Sequence, residues 1–214
     1  MSSMNGFRIP KDIMRSPVAR ASLQFIYTKA HRQSMGNVRG YENDSLIIGR
    51  FQPLHKGHME VIRKVSRESD HVTIGIGSAQ YSHTKENPFT AGERYSMIAE
   101  TLKAEGIKNC YIVPVEDLNR YSIWVSQVVS MCPKFTRVYS NNPYTRRLFA
   151  EAGFEVRDSP LYNRSEYSGT EVRRRIKSGG NWTSLVPDQV ADIIDEIDGV
   201  ERIKQLSGES ENGI

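Results

Sequence analysis

The strongest constraint on the fold is an alternation of short apolar stretches with amphipathic ones, which begins at Ser45. Five apolar stretches predict strands: "SLIIGRF", "HVTIGIGSA", "CYIVPV", "TRVYS" and "FEVRD". Four stretches between them predict helices: "GHMEVIRKVSRES", "TAGERYSMIAETLKAEG", "YSIWVSQVVSM" and "PYTRRLFAEAG". Because the helices alternate with buried strands, we expect an α/β fold with a doubly wound parallel sheet. Its active crevice should lie outside the carboxyl ends of the strands.

Several helix ends carry recognisable signals. Thr90 and Glu93 match a capping box, and Gly106 follows the last turn of the same helix. Pro143 stands at the start of the fourth helix, a position that proline favours. Beyond the last strand, "SGTEVRRRIKSGG" and "VPDQVADIIDEI" predict two more helices. We therefore expect a Rossmann-like sheet followed by a C-terminal helical segment.

Positive charge is concentrated at the start of the chain. The first 40 residues contain seven basic residues and one acid, which gives them a net charge of +6. Because the whole chain has a net charge of +4, the remaining residues carry about −2. A body without excess positive charge argues against a nucleic-acid partner. We predict that residues 1–44 form a poorly ordered basic extension without a catalytic role. Three interpretations stay open for it: a mobile tail, a targeting peptide, or a start codon assigned too early, since Met35 precedes the core.

The remaining composition favours a cytoplasmic protein. No apolar run reaches the roughly 18 to 20 residues of a membrane span, and no apolar signal-peptide core stands near the start, so we expect no membrane partner. Cys110 and Cys132 lie 22 positions apart, without the spacing of a metal site. We expect both to be reduced thiols in the core.

The first candidate site is "GRFQPLHKGH", between the first strand and its helix. A helix amino terminus favours an anion through its free N–H groups and its dipole. Here His58 can donate to a phosphate oxygen, while Gly49 and Gly57 admit a ligand close to the backbone. Two alternatives are a zinc site, for which His55 and His58 lack a third ligand nearby, and a structural role for His58 on the apolar stripe of its helix.

A second stretch, "YSGTEVRRR", marks another helix amino terminus. Ser168 and Glu171 match a capping box, which is a sufficient structural explanation by itself. Ser168, Thr170 and Arg173 also place two hydroxyls and a guanidinium around this terminus, a set of donors that suits a polyphosphate. Two such termini in one crevice indicate a nucleoside triphosphate.

Together, the H-x-G-H and S-x-T-x-x-R patterns resemble the nucleotidyltransferase superfamily, which shares ancestry with class I aminoacyl-tRNA synthetases. The stretches "GRFQPLHKGH", "IGSAQYSHTKENPFTAGER", "YSGTEVRRR" and "IDEIDGVERIK" are similar to the archaeal type of nicotinamide-nucleotide adenylyltransferase. The resemblance runs from Leu46 to Leu206. It implies a nucleotidyltransferase domain over residues 45–206 and a tail over residues 207–214.

The resemblance also implies an activity and its residues. ATP and nicotinamide mononucleotide (NMN) would give NAD and pyrophosphate, with Mg²⁺ bridging phosphate oxygens and no metal ligand from the protein, and the chain would form a homohexamer. The implied catalytic residues are His58, His55 and Arg173. The implied ATP-binding residues are Gly49, Arg50, Phe51, His55, His58, Ser168, Thr170 and Arg173. The implied NMN-binding residues are Trp124, which would stack on the nicotinamide ring, Asp117 and Ser78.

Alternatives remain for the function and for single residues. A relative that acts on phosphopantetheine, FMN or a cytidylyl acceptor would keep the nucleotide half and change the acceptor pocket. A nucleotide-binding regulator without activity is a second alternative, against which the intact motifs argue. Trp124 is a core residue in a purely structural interpretation, and Arg94 is either a substrate ligand or an ordinary helix charge. Some relatives carry a basic residue where Glu86 stands, so no phosphate contact is assigned there.

Overall fold

The computed structural model describes residues 43–159 and 166–208. Residues 1–42 of the predicted extension lie outside the described ones, whereas Asp44 at its end is buried and accepts from the Thr136 N–H through its backbone oxygen. Five parallel strands form one sheet in the order β3-β2-β1-β4-β5. The strands are β1 Ser45–Gly49, β2 Val72–Ile76, β3 Cys110–Pro114, β4 Arg137–Tyr139 and β5 Glu155–Arg157. The predicted doubly wound sheet is confirmed.

The helices follow the strands along the chain. They are α1 Lys56–Glu68, α2 Ala91–Ala104, α3 Tyr121–Met131, α4 Pro143–Glu151, α5 Gly169–Lys177, α6 Asp188–Glu196 and α7 Gly199–Gly208, with a 3₁₀ turn at Thr183–Leu185. Within the described ranges, no helix has both the length and the apolar character that crossing a membrane requires. Beyond β5 the described chain forms α5, α6 and α7, of which the sequence predicts the first two.

The strand order places a crevice at the centre of the sheet. The chain runs outward from β1 to β3 on one side, and then returns to pair β4 with the other edge of β1, so that Ile47 faces Ile74 on one side and Tyr139 on the other. Such a reversal of strand order opens a crevice beyond the carboxyl ends of the two diverging strands. The stretch "GRFQPLHKGH" begins at this point.

The two faces of the sheet support separate apolar cores. Ile47 belongs to one core and its neighbour Leu46 to the other, because successive side chains of a strand point to opposite faces. The first core contains buried residues of α1, α2, α5, α6 and α7, and the second contains residues of α3 and α4. Both faces of β1 are therefore covered, which fixes the strand end that leads into the crevice.

Most of the predicted helix ends are confirmed, with two differences. Thr90 and Glu93 form the reciprocal capping box, and Gly106 has a positive φ of 68° after α2. In α5 only one half of the predicted box forms: Ser168 accepts from the Glu171 N–H, but the Glu171 carboxylate accepts from the side chains of Arg174 and Arg175. Two adjacent guanidinium groups compete for that carboxylate and hold it on the helix surface.

The second difference concerns the start of α1. The helix begins at Lys56, two residues before His58, and His55 is its N-cap. The His55 Nδ1 atom accepts from the His58 N–H at 3.3 Å, as an Asn or Ser side chain would do at this position. His55 therefore has a structural role that the sequence did not indicate.

Candidate active site

One crevice collects the residues of both predicted nucleotide motifs. It has a volume of about 430 Å³ and lies at the reversal point of the sheet. Its walls include every residue of the predicted ATP set: Gly49, Arg50, Phe51, His55, His58, Ser168, Thr170 and Arg173. The amino termini of α1 and α5 thus meet in one cavity, although the two motifs are far apart in the sequence.

Two glycines allow these helices to approach each other. A Cβ on Gly57 would lie 2.8 Å from the Cβ of Tyr167, and a Cβ on Gly169 would lie 2.7 Å from the Gln52 carbonyl oxygen. Arg173 also donates to that carbonyl oxygen from Nη1. Gly57 itself lines the cavity, but a side chain at this position would collide with Tyr167 and with the His55 ring. At Gly49 a Cβ would instead meet the Phe51 ring at 3.4 Å.

The two histidines form a stacked pair. Their ring centroids are 3.6 Å apart at an interplanar angle of 23°, and Phe51 packs on His58 with a centroid distance of 4.7 Å. Burial lowers the pKa of His55 to about 4, and burial followed by the charge of His55 lowers the pKa of His58 well below 6.5. Both rings are therefore neutral near pH 7.

The hydrogen bonds define where His55 can donate. Its Nδ1 atom accepts from the His58 N–H, so the single proton of the neutral ring is on Nε2. The Nδ1 atom of His58 is buried and has no hydrogen-bond partner among the described residues. In residues 43–159 and 166–208, no group of three or more His, Cys, Asp or Glu side chains could hold a metal ion. The neutral His55 ring can therefore donate a hydrogen bond from Nε2.

Positive charges converge on the crevice. Arg50 is exposed at the end of β1, and its charge acts on two other arginines. Burial, and next the charge of Arg50, lowers the pKa of Arg173. The same two causes, in the same order, lower the pKa of Arg94 to about 10. Like charges at close range repel each other, and a bound polyanion would relieve this repulsion.

Arg94 has neither of the two roles that the sequence left open, a substrate ligand or an ordinary helix charge. It is completely buried, and its guanidinium donates to backbone carbonyl oxygens around the ends of β1 and β2. It is therefore neither an exposed helix charge nor a residue that lines the crevice. Periodicity alone cannot reveal this role, because the partners are backbone atoms of distant loops.

A second cavity, of about 450 Å³, adjoins the first. All three residues of the predicted NMN set line it: Ser78, Asp117 and Trp124. The Ser78 hydroxyl donates to Asp117 Oδ2 at 2.6 Å, which ties the end of β2 to the loop after β3. Trp124 is half-buried and contacts Phe149 edge to face, with ring centroids 5.6 Å apart, so it joins the core as well as the cavity.

The two cavities share a boundary that the sequence did not fully identify. Gly49, Arg50 and Asn142 line both of them. Asn142 is the N-cap of α4 and accepts from the N–H groups of Tyr144 and Thr145. An Asn directly before a proline at the start of a helix was the signal that could have indicated this residue.

Comparison with known proteins agrees with this arrangement. A family model described as cytidylyltransferase-like matches residues 46–175, so the chain belongs to this family of nucleotidyltransferases. Within it, the chain is 53% identical to a nicotinamide-nucleotide adenylyltransferase of Thermoplasma volcanium over 80% of this chain and 96% of that protein. It is also 53% identical to the Archaeoglobus fulgidus protein of the same name, over 77% of this chain and 97% of the relative.

Solved structures share the fold at lower identity. A bifunctional NMN adenylyltransferase/ADP-ribose pyrophosphatase of Francisella tularensis, complexed with AMP and a manganese ion, aligns with a TM-score of 0.60 and 24% identity. The alignment covers 81% of this chain and 54% of that protein, so this chain spans about half of its length. A protein from Vibrio parahaemolyticus named "putative nicotinate-nucleotide adenylyltransferase" aligns with a TM-score of 0.51 and 17% identity over 72% of this chain.

Proposed function

We propose that this protein transfers the adenylyl group of ATP to NMN, giving NAD and pyrophosphate. This proposal is supported by a crevice with two helix amino termini and two arginines, which shares lining residues with a second cavity lined by Trp124. Relatives that are 53% identical are named nicotinamide-nucleotide adenylyltransferases. A triphosphate in the first cavity and a pyridine nucleotide in the second would meet beside Gly49 and Arg50.

The reaction needs positioning and charge stabilisation, and no general base. The phosphate of NMN is mostly dianionic at neutral pH, because its second pKa is about 6. One of its oxygens attacks the α-phosphorus of ATP while the bond from that phosphorus to the αβ-bridging oxygen breaks. Pyrophosphate leaves with the electron pair. The protein therefore has to align two anions and to stabilise the negative charge that grows on the leaving group.

The crevice residues suit these two tasks. A neutral His55 can donate from Nε2, and His58, at the first turn of α1, lies against it where a phosphate would bind the helix terminus. Arg173 uses Nη1 on the Gln52 carbonyl oxygen, and its side chain makes no other hydrogen bond within the described residues. Its orientation is thus fixed while further donors remain for the β- and γ-phosphates. Ser168 and Thr170 complete this wall.

The divalent ion is best treated as part of the substrate. Within the described part of the chain, the first cavity is lined by no carboxylate side chain. Mg²⁺ binds few protein groups when phosphate oxygens and water complete its octahedral coordination. An ion that arrives with ATP would neutralise charge on the phosphates, while Arg50 and Arg173 supply the charge that belongs to the protein.

The second cavity suits the acceptor. Trp124 presents an aromatic surface on which a nicotinamide ring can stack, and Phe149 supports it from behind. The bonded pair Ser78 and Asp117 adds polar groups to the same cavity. A different acceptor would need a different set of groups here, so this cavity carries the substrate specificity.

The activity is tested with the purified full chain, ATP, Mg²⁺ and one acceptor at a time. We expect NAD formation from NMN, measured through a coupled dehydrogenase, together with an equal amount of pyrophosphate. The acceptor panel includes nicotinic acid mononucleotide, phosphopantetheine and FMN, and CTP replaces ATP in one series. Pyrophosphate release with another acceptor, but none with NMN, would overturn the proposal.

Three further expectations accompany this function: a homohexamer, a cytoplasmic location and a basic extension without a catalytic role. Exposed apolar side chains on α3, namely Ile123, Val129 and Met131, support association with other copies. Light scattering after size exclusion gives the assembly mass. The same measurement and assay on the chain without residues 1–34 test the extension, and microscopy of a tagged protein tests the location.

A further inference from the structure

Arg94 is the largest side chain that the described part of the chain buries completely. Burial of a guanidinium is costly unless its donors are satisfied. Its five N–H groups meet five backbone carbonyl oxygens, those of Thr90 at 3.1 Å, Arg50 at 2.9 Å, Gly77 at 2.9 Å, Ser78 at 3.2 Å and Ala79 at 3.5 Å. Among the described residues no carboxylate forms an ion pair with it. All hydrogen bonds of this buried guanidinium therefore go to backbone carbonyl oxygens.

Two of the residues next to these carbonyls have an unusual backbone conformation. Phe51 has a φ of 49° and Ser78 a φ of 51°, in the left-handed region that residues other than glycine rarely adopt. Arg94 binds the carbonyl that precedes Phe51, and it binds the carbonyls on both sides of Ser78. Such conformations persist only where the surroundings impose them, and they concentrate at functional sites.

These hydrogen bonds also orient two amide groups. The C=O and N–H of a trans peptide point in opposite directions, so the Phe51 and Ser78 N–H groups point away from Arg94. Phe51 lines the first cavity and Ser78 the second. Within residues 43–159 and 166–208, neither amide donates to another protein group. A carbonyl turned into either cavity would instead present negative charge to an anionic substrate.

We propose that Arg94 is a positioning residue that holds Phe51 and Ser78 in their left-handed conformations and thereby aligns both halves of the active site. It touches no substrate and acts through the backbone at the ends of β1 and β2. Its kinetic consequence rests on the proposed function, whereas its structural consequence does not. A displacement of about 1 Å in a positioning group costs on the order of 10²-fold in rate.

The test replaces Arg94 by Lys, which keeps the charge but offers three donors in place of five. Arg63→Lys is the matched control, because Arg63 on α1 forms ion pairs with Glu60 on the same helix and with Glu105 at the end of α2, and lines neither cavity. Both variants are assayed with ATP and NMN varied separately, and the crystal structure of Arg94→Lys is solved. Arg94→Gln, which buries no charge, is the second variant if the first does not fold.

We expect Arg94→Lys to lower kcat about 10²-fold while each KM changes less than about fivefold. Phe51 or Ser78 should leave the positive-φ region in its crystal structure, and Arg63→Lys should retain wild-type kinetics. Unchanged backbone angles would overturn the proposal, as would a loss of activity that only follows the unfolded fraction. Failure of both variants to fold would assign Arg94 a purely structural role and also overturn it. If the wild type makes no NAD, the proposed function fails, and the crystal structure alone decides the role of Arg94.

Discussion

Gly169 lies so close to Gln52 that a Cβ on Gly169 would stand 2.7 Å from the Gln52 carbonyl oxygen. This contact brings the amino terminus of α5 to the turn between β1 and α1. The neighbouring contact of Gly57 with Tyr167 acts in the same way from the other side. The distance between the two predicted nucleotide motifs is therefore set by two positions without side chains.

The first prediction follows from this contact. Gly169→Ala should force α5 away from Gln52, because a backbone oxygen cannot yield as a flexible side chain can. We expect a loss of stability of about 1 to 3 kcal/mol and at least a tenfold fall in kcat/KM for ATP. Gly92→Ala is the control, since a Cβ there meets only Thr90 Oγ1 at 3.9 Å. Equal effects of the two substitutions would contradict the prediction.

His58→Ala tests the donor at the first turn of α1. Loss of one preorganised donor to the transition state should lower kcat by on the order of 10²-fold or more at saturating ATP and NMN. His71→Ala is the control, because His71 lies at the amino ends of the strands and pairs with Asp44. Full turnover by His58→Ala would leave this histidine with only its packing role on α1.

The pKa of His55 provides a test by titration. Its folded value of about 4 lies below its ordinary value of 6.5, so the unfolded chain binds the proton more readily. The contribution of His55 to the free energy of unfolding is therefore fully present above about pH 6.5. It falls as the pH drops toward 4, by at most roughly 1.4 kcal/mol per pH unit. NMR of the ring should show the low pKa, and MgATP should raise it because a nearby anion favours the charged form.

The matched variant for this titration is His55→Asn. Asn is a good N-cap and can still accept from the His58 N–H, so the start of α1 should persist. Denaturant unfolding of this variant should show a smaller loss of stability between pH 6.5 and 4 than the wild type shows. An identical pH dependence in both proteins, or titration of His55 at its ordinary value, would refute the assignment.

Trp124→Leu should separate the acceptor half from the nucleotide half. Leu keeps an apolar contact with Phe149 but removes the stacking surface. Stacking on an aromatic side chain is worth about 1 to 3 kcal/mol, so the KM for NMN should rise at least fivefold while the KM for ATP stays within about twofold. Trp124→Phe should recover much of this loss. Similar changes in both KM values would indicate a general packing defect.

Arg202→Met tests the support that α7 gives to α2. Arg202 donates to Glu93 at 2.8 Å, and Glu93 completes the capping box of α2. Burial alone would raise the pKa of Glu93, but hydrogen bonds from Arg202 and the Thr90 N–H lower it. We expect the variant to lose about 1 to 3 kcal/mol at neutral pH. In the wild type this contribution should decrease as acid protonates Glu93. A difference in the free energy of unfolding between wild type and Arg202→Met that stays constant down to low pH would contradict the prediction.

Local signals were sufficient for most of the fold. The strands and the first four helices were predictable because the apolar residues of each stretch had the spacing typical of either a strand or a helix. In addition, Thr90, Pro143 and Gly106 marked helix ends. Helix α7 was missed although Asp198 directly precedes it and Glu201 follows three residues later, a pattern typical of a helix start. Gly199 is needed there for packing, since a Cβ would lie 3.0 Å from the Ile194 carbonyl oxygen.

The membership of the site was easier to predict than its internal contacts. Motif residues at strand and helix ends meet in the crevice because a parallel sheet gathers its carboxyl ends at one edge. The roles of Arg94, Gly57 and Glu171 could not be inferred in the same way. Each depends on a partner from a distant or competing segment, whose position exists only after the chain has folded.

The two adjoining cavities have a consequence for how such proteins diversify. The first is built mainly from the ends of β1 and β4 and from the helices α1 and α5, and the second from the ends of β2 and β3 and from α3 and α4. Since, among the described residues, they share only Ile48, Gly49, Arg50 and Asn142, mutations in one cavity leave most of the other untouched. Evolution can therefore exchange the molecule that receives the nucleotide while it retains the chemistry of transfer.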